Sequence, residues 1–319
     1  MWLAYRTPDN KIFLGQRHKH NADNVDCKTE YNVIDLSCNP ATMAKSVFPP
    51  ALCGFNDKMY LAWKPEEPNV IKYQRTDGSL RFDPKPPLTV PAENIVAGPV
   101  LARTSTTLYL SWLAGPARPD GSYDIYLSES TDGETFETFN YSKSNKHART
   151  HCPPCFSACG EVLTIYWING CKVHSGEVNP DDTEFDTHET YATPKVYDFE
   201  KIYCHAMQNV TPSVHSKHPI AIACAYGDNK RWLVVTTSDD KVWILPPRGD
   251  TPLYTLTDSS AQASSAMRVG AAFVEISPER RQVFINWKDK SDENYRECRI
   301  RSHGGNILIS ELSNSLGTP

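Results

Sequence analysis

Arg149 and Arg268 could each grip a carboxylate through paired guanidinium N–H groups, and His151 and His205 could move protons near neutral pH. Asn209 offers both a donor and an acceptor. All five stand just before, or near, an apolar run, so they are candidate ligand contacts. The same residues also suit ion pairing or plain exposure on a loop.

His151-Cys152-Pro153-Pro154-Cys155 is the most unusual short string in the chain. Two cysteines three positions apart could form a disulfide, bind metal or lie buried as thiols. A metal would need two more ligands, and no second such pair follows, so neither a metal nor another cofactor is expected. Ten cysteines and two sequons, Asn140-Tyr141-Ser142 and Asn209-Val210-Thr211, suit disulfides, glycosylation and a secretory route. Cys27 with Cys38 is the first expected bridge, because it would close one short loop. The start, MWLAYRTPDN, does not read as a signal peptide.

The elements that must position these side chains repeat along the chain. A Pro-led apolar strand is followed by a turn and a strand ending on an aromatic residue. Pro50–Phe55 precedes Met59–Trp63, Pro99–Ala102 precedes Leu108–Trp112, and Pro154–Ser157 precedes Leu163–Trp167. Pro212–Val214 before Ile220–Tyr226 and Gly270–Phe273 before Val283–Trp287 continue the pattern, and Trp2–Tyr5 opens inside another copy. The terminal aromatics stand 58, 49, 55, 59 and 61 residues apart (5, 63, 112, 167, 226, 287). Such a unit holds four short strands, and stacking the units around an axis buries the faces that one sheet alone would expose. The expectation is one domain over 1–319, an all-β, six-bladed β-propeller of four-stranded antiparallel blades. Its first blade is either closed by the C-terminal tail or lacks a terminal strand. Trp112 and its counterparts either fill blade cores or offer sugar-stacking platforms.

Third strands alternate polar and apolar residues, then reach a turn. The turns are Asp23-Asn24, Asp77-Gly78, Asp132-Gly133, Asp181-Asp182, Asp239-Asp240 and Gly304-Gly305. Ser130-Thr131-Asp132-Gly133-Glu134-Thr135-Phe136 resembles a shortened Asp-box, the turn repeated in sialidase-like propellers. The resemblance implies an architecture more than an activity, because these turns lie away from the active face in that family.

In such a fold the loops from strand four to the next strand one, and from strand two to strand three, share the face around the axial pocket. The site expected there comprises Arg149, His151, His205, Asn209, Arg268 and Trp112. The first functional reading is a lectin-like module holding a glycan or other small ligand. The alternatives are an enzyme (a glycosidase, or an isomerase or cyclase acting by orientation) and a protein-interaction scaffold. A glycosidase could draw its carboxylates from Glu66, Glu93, Asp120 or Asp289. Net charge of −5 and a pI near 6.1 argue against a nucleic-acid partner. No apolar run approaches the ~20 residues that span a membrane.

Overall fold

The structure is a computed structural model. It describes residues 2–17, 31–39, 43–76, 82, 86–144, 148–159, 161–169, 172–178, 195–198, 219–227, 230–237, 242–245, 254–255, 270–277, 280–288, 295–303 and 306–312. The chain is all-β. Among the described residues its strands form six sheets, each built from segments consecutive in sequence. Local hairpins dominate because short β-branched and aromatic runs alternate with Asn-, Asp- and Gly-rich turns.

Two compact units emerge. The first comprises residues 1–149 with 160–162 and 180–187. Its opening sheet is β1 (Trp2–Arg6), β2 (Ile12–Arg17) and β3 (Tyr31–Asp35). The second sheet is β4 (Ala51–Phe55), β5 (Lys58–Trp63), β6 (Val70–Thr76) and β7 (Leu88–Pro91). The third is β8 (Ile95–Arg103), β9 (Leu108–Ala114), β10 (Tyr123–Ser130) and β11 (Glu137–Asn140), followed by the short helix α1 (Tyr141–Ser144). A two-residue strand, β12 (Arg149–Thr150), sets Arg149 beside β10 as a fifth member.

Within this unit the first strands of neighbouring sheets lie side by side, β4 against β8. β5 reaches β8 in turn, and β1 reaches β4 in the same way. β1 therefore stands where second strands stand. Among the described residues no strand lies inside β1 in the opening sheet. Residues 313–319, expected to close it, lie outside the described residues.

Both faces of each middle strand are covered. Tyr60 and Ala62 of β5 pack toward the third sheet with Ile71, Tyr73, Leu108 and Trp112. The alternate residues, Leu61 and Trp63, pack toward the first with Ile12, Leu14 and Leu36. A strand enclosed on two sides needs apolar residues at successive positions, which is why these strands read as continuous apolar runs.

The second unit comprises residues 150–159, 163–179 and 188–319. Its sheets are β13 (Cys155–Cys159), β14 (Val162–Asn169), β15 (Lys172–Val178) and β16 (Lys195–Asp198), then β17 (Pro219–Gly227), β18 (Lys230–Thr237), β19 (Val242–Leu245) and β20 (Tyr254–Thr255). Then come β21 (Gly270–Ser277), β22 (Arg280–Lys288), β23 (Tyr295–His303) and β24 (Asn306–Leu312). Again first strands adjoin, β13 with β17 and β17 with β21.

One repeat is phased differently from expectation. Ile220–Tyr226 lies in β17, the first strand of its sheet, not the second. Gly227 pairs with Lys230, so only two residues separate β17 from β18, the spacing of a tight hairpin. The same spacing joins β4 to β5, where Phe55 pairs with Lys58 and Asn56 and Asp57 both have positive φ. The expected strand Pro212–Val214 lies outside the described residues.

Candidate functional site

The described side chains with the most chemical potential gather at one end of the third sheet. Asp124 opens β10, directly after the loop from β9. That loop is closed by Arg118 N–H donating to Ser122 O at 2.9 Å and Gly121 N–H to Arg118 O at 2.8 Å. Asp120 Oδ1 accepts from Ser122 N–H at 2.9 Å and its hydroxyl at 2.6 Å, so Asp120 builds the loop. The turn aims Arg118 back at the strand, where Nη2 donates to Asp124 Oδ1 at 3.0 Å and Oδ2 at 3.1 Å. Asn140 Nδ2 reaches Oδ2 at 3.4 Å.

Arg149 arrives from β12, with Nε 4.0 Å from Asp124 Oδ1. Only 16% of the Asp124 side chain is exposed, against 40% for Arg118 and 35% for Arg149. Arg149 Nε is buried without a hydrogen-bond partner. Two guanidiniums around one carboxylate leave one net positive charge. Arg118 is satisfied by Asp124, whereas Arg149 is only half engaged and keeps donor capacity. The cluster can therefore hold a sugar hydroxyl or an anionic substituent through charge-assisted hydrogen bonds.

A second convergence joins loops of the first and second sheets. Ser46 Oγ donates to Phe48 O at 2.6 Å and Lys64 O at 3.1 Å. Lys64 is 7% exposed, and its Nζ donates to Pro65 O and Glu67 O at 2.6 Å each. Desolvation lowers its ammonium pKa. Arg6 donates to Asn10 Oδ1 at 2.6 Å, and Glu67 pairs with Lys72 at 2.8 Å. The Ser46–Lys64 bond fastens one loop to the other, and the remaining contacts brace single loops. They confirm that the two loop classes meet at one end of the first unit, as the repeat implied.

The sequence-predicted site residues fare differently. Arg149 is half-buried in the cluster just described. His151 is exposed and belongs to the second unit. His205, Asn209 and Arg268 lie outside the described residues. Trp112 is corrected: it is 1% exposed and stacks on Tyr126 with ring centroids 5.9 Å apart, so it cannot present a face to a sugar. Trp63 and Trp167 are equally buried. Trp63, Trp112 and Trp167 are packing residues.

Three other expectations are revised. Cys38 is a free, exposed thiol whose Sγ lies 3.4 Å from Asp35 Oδ2, in place of the bridge to Cys27, a residue outside the described set. Cys155 is a free, buried thiol, so the expected pairing of Cys152 with Cys155 is not formed. The sequon at Asn140 is built into the fold: Asn140 Oδ1 caps α1 by accepting Lys143 N–H at 3.1 Å. The sequon hydroxyl, on Ser142, is buried and accepts Ile125 N–H at 2.8 Å. A glycan on Asn140 Nδ2 would take the position from which that amide faces Asp124 Oδ2.

Asp124 was legible only as an alternating strand residue, although its position six residues after Arg118 was a usable signal. Among the described residues no group of His, Cys, Asp and Glu is arranged to hold a metal ion.

The Asp132 turn is formed as its sequence implies, at the opposite end of β10. Asp132 Oδ1 accepts N–H groups of Glu134 at 2.7 Å and Thr135 at 2.8 Å and the Ser130 hydroxyl at 2.9 Å. These donors, the backbone ones foremost, lower its pKa to about 2. The turn also grips the second sheet. Tyr73 Oη donates to Glu134 O at 2.7 Å, and Arg75 pairs with Glu134 at 2.6 Å.

No family model and no curated protein sequence matches this chain. Solved structures do. A variant of AofleA from Arthrobotrys oligospora with three arginines changed to alanine is 9% identical, with a TM-score of 0.58 over 98% of this chain and 83% of that one. The α-L-arabinanase of Penicillium chrysogenum, solved with arabinobiose, is 14% identical, with a TM-score of 0.52 over 82% of this chain and 79% of its own. A thermostable family-43 glycoside hydrolase is 11% identical at a TM-score of 0.46, covering 88% and 97% of the two chains. At such identities the likeness reports the fold alone, and that fold is the β-propeller. The family-43 enzymes and the arabinanase have five blades. The arabinanase supports the propeller and not its placement in the sialidase-like branch. Among the described residues no helix is long and apolar enough to cross a membrane.

Proposed function

We propose that this chain is a single-domain, six-bladed β-propeller over residues 1–319 that acts on glycans at its strand-connecting loops, with glycoside hydrolysis as its activity. Six sheets support the blade count. The arabinobiose held by the arabinanase favours a neutral sugar as ligand.

The observation that carries the reading is the Arg118–Asp124–Arg149 cluster. It sets a largely buried carboxylate beside a guanidinium with donors to spare, at the loop end of one sheet. Hydrolysis needs a second carboxylate across the bond. Glu66, Glu93 and Asp289 are its candidates, because Asp120 is spent on its own loop. His151, His205, Asn209 and Arg268 stay proposed ligand contacts on the sequence alone. The ten cysteines and the remaining sequon at Asn209 favour a secreted protein.

Lectin-like binding is the second reading. Both oxygens of Asp124 already accept hydrogen bonds, which suits recognition better than proton transfer. One experiment separates the two. Wild type and an Arg118→Ala/Arg149→Ala double variant are assayed on a panel of arabino-, xylo- and galacto-oligosaccharides and, in parallel, on a glycan array. Hydrolysis by wild type that the variant loses supports the enzyme. Binding without hydrolysis, lost in the variant, establishes the lectin. Activity or binding that survives in the variant removes the cluster from the site, and the absence of both in wild type overturns the glycan assignment.

A further inference from the structure

Three thiols meet in the second unit. Cys155 opens β13 and is 7% exposed in a core with Tyr166, Ile168, Ile222 and Leu233. Cys152 and Cys224, both half-buried, pack against that same core. Cys224 comes from the adjoining strand β17, and its Sγ donates to the carbonyl of Phe156, the residue after Cys155. Cys155 and Cys224 thus share one core, on strands that adjoin. Two thiols in one core, with Cys224 Sγ against the backbone of the residue after Cys155, are the pair to test for a covalent bond.

We propose that Cys155 and Cys224 are a redox pair that a low-molecular-weight disulfide converts into a covalent tie between β13 and β17. The half-buried Cys224 thiolate attacks the oxidant, forming a mixed disulfide and releasing one small thiol. The Cys155 thiol then attacks the Cys224 sulfur as its proton passes to the departing small thiolate, which leaves as the second small thiol. Two S–H bonds and the oxidant's S–S bond are replaced by one protein S–S bond and two small-molecule S–H bonds. The two electrons and two protons leave with the oxidant.

The competing bridge within the loop, Cys152 to Cys155, is disfavoured by what separates them. Pro153 and Pro154 fix φ near −65°, and Cys152, preceding a proline, is held toward extended backbone. Polyproline geometry spreads three residue steps over about 9 Å, beyond the ~7 Å that a disulfide bridges. Cys152 is further anchored by Thr150, whose hydroxyl donates to Cys152 O at 2.8 Å and accepts its N–H at 3.2 Å. Burial raises the Cys155 thiol pKa well above its ordinary value. Reagents from solvent therefore reach it poorly, while its neighbour lies within reach.

The test uses the full chain, fully reduced and then incubated with oxidised glutathione. Remaining thiols are alkylated under denaturing conditions, and peptides are mapped without reduction. The expected product is a peptide pair joined through Cys155 and Cys224, present in wild type and in Cys152→Ala, and absent from Cys224→Ala. The residues stand 69 positions apart. Closing a loop of that length is expected to raise Tm by roughly 5 °C, reversed by dithiothreitol. A Cys152–Cys155 link, glutathione retained on Cys224 with Cys155 alkylated, or three unmodified thiols would each overturn the proposal. The wild-type map decides alone if a variant fails to fold.

Discussion

Replacing Gly133 by alanine tests the contact between the second and third sheets. Gly133 sits at φ +73°, and a Cβ built there would lie 2.1 Å from Tyr60 Oη and 2.7 Å from its Cζ. Tyr60 is 1% exposed and packed among Phe55, Ile71 and Leu108, so its ring has nowhere to retreat. Left-handed backbone costs a non-glycine residue about 1–2 kcal/mol, and overpacking adds about 1–3 kcal/mol. Gly133→Ala should thus destabilise by about 2–5 kcal/mol. For a chain of this length, at roughly 1.5 °C per kcal/mol, Tm should fall by about 3–8 °C. Tyr60→Phe removes the nearest clashing atom but leaves the ring carbon. The double variant should therefore recover about 1 kcal/mol relative to additivity. Urea unfolding of the four proteins measures this directly. A Gly133→Ala loss below about 0.5 kcal/mol, or strict additivity in the cycle, would refute the close approach.

Asp132 offers a test by acid. Its pKa, about 2, is depressed, so its contribution is fully present above the ordinary aspartate value near 4 and lost as pH falls toward 2. Asp132→Asn keeps the Oδ1 acceptor, and its stability should vary less with pH between about 4 and 2 than that of wild type in acid-unfolding curves. Cys53 is packed against the core between the second and third sheets, and burial pushes its thiol pKa to about 12. In native protein at pH 8, iodoacetamide should label the exposed Cys38 and leave Cys53 unmodified, as read by peptide mass. Trp112→Ala should cost about 3–5 kcal/mol as a core truncation. The milder Trp112→Phe should retain ligand affinity, and a selective loss of binding in a folded Trp112→Phe protein would restore the stacking role.

The repeat was legible because two-sided burial writes itself into sequence: Leu108–Ala114 is apolar with a single serine, and every one of its residues is buried. The phase slip at Ile220–Tyr226 arose because Tyr226 mimics the terminal aromatic of a second strand. The deciding feature was the two-residue separation between Gly227 and Lys230, which marks a first hairpin as Asn56-Asp57 does. The site was half legible. Loop class alone placed Arg118 and Arg149 on one face, but their meeting at Asp124 depends on β12 lying beside β10, a pairing that no periodicity encodes. Trp112 misled because stacking platforms and core residues share one composition, and exposure is a property of the assembled sheets.

The grip of the Asp132 turn on the sheet before it bears on modularity. Tyr60, Tyr73 and Arg75 belong to one repeat, whereas Gly133 and Glu134, which they meet, belong to the next. A repeat cut at its strand boundaries and grafted elsewhere would lose half of each contact. For shuffling, duplication or circular permutation, the heritable cassette here is therefore a sheet together with the turn that its successor lays upon it.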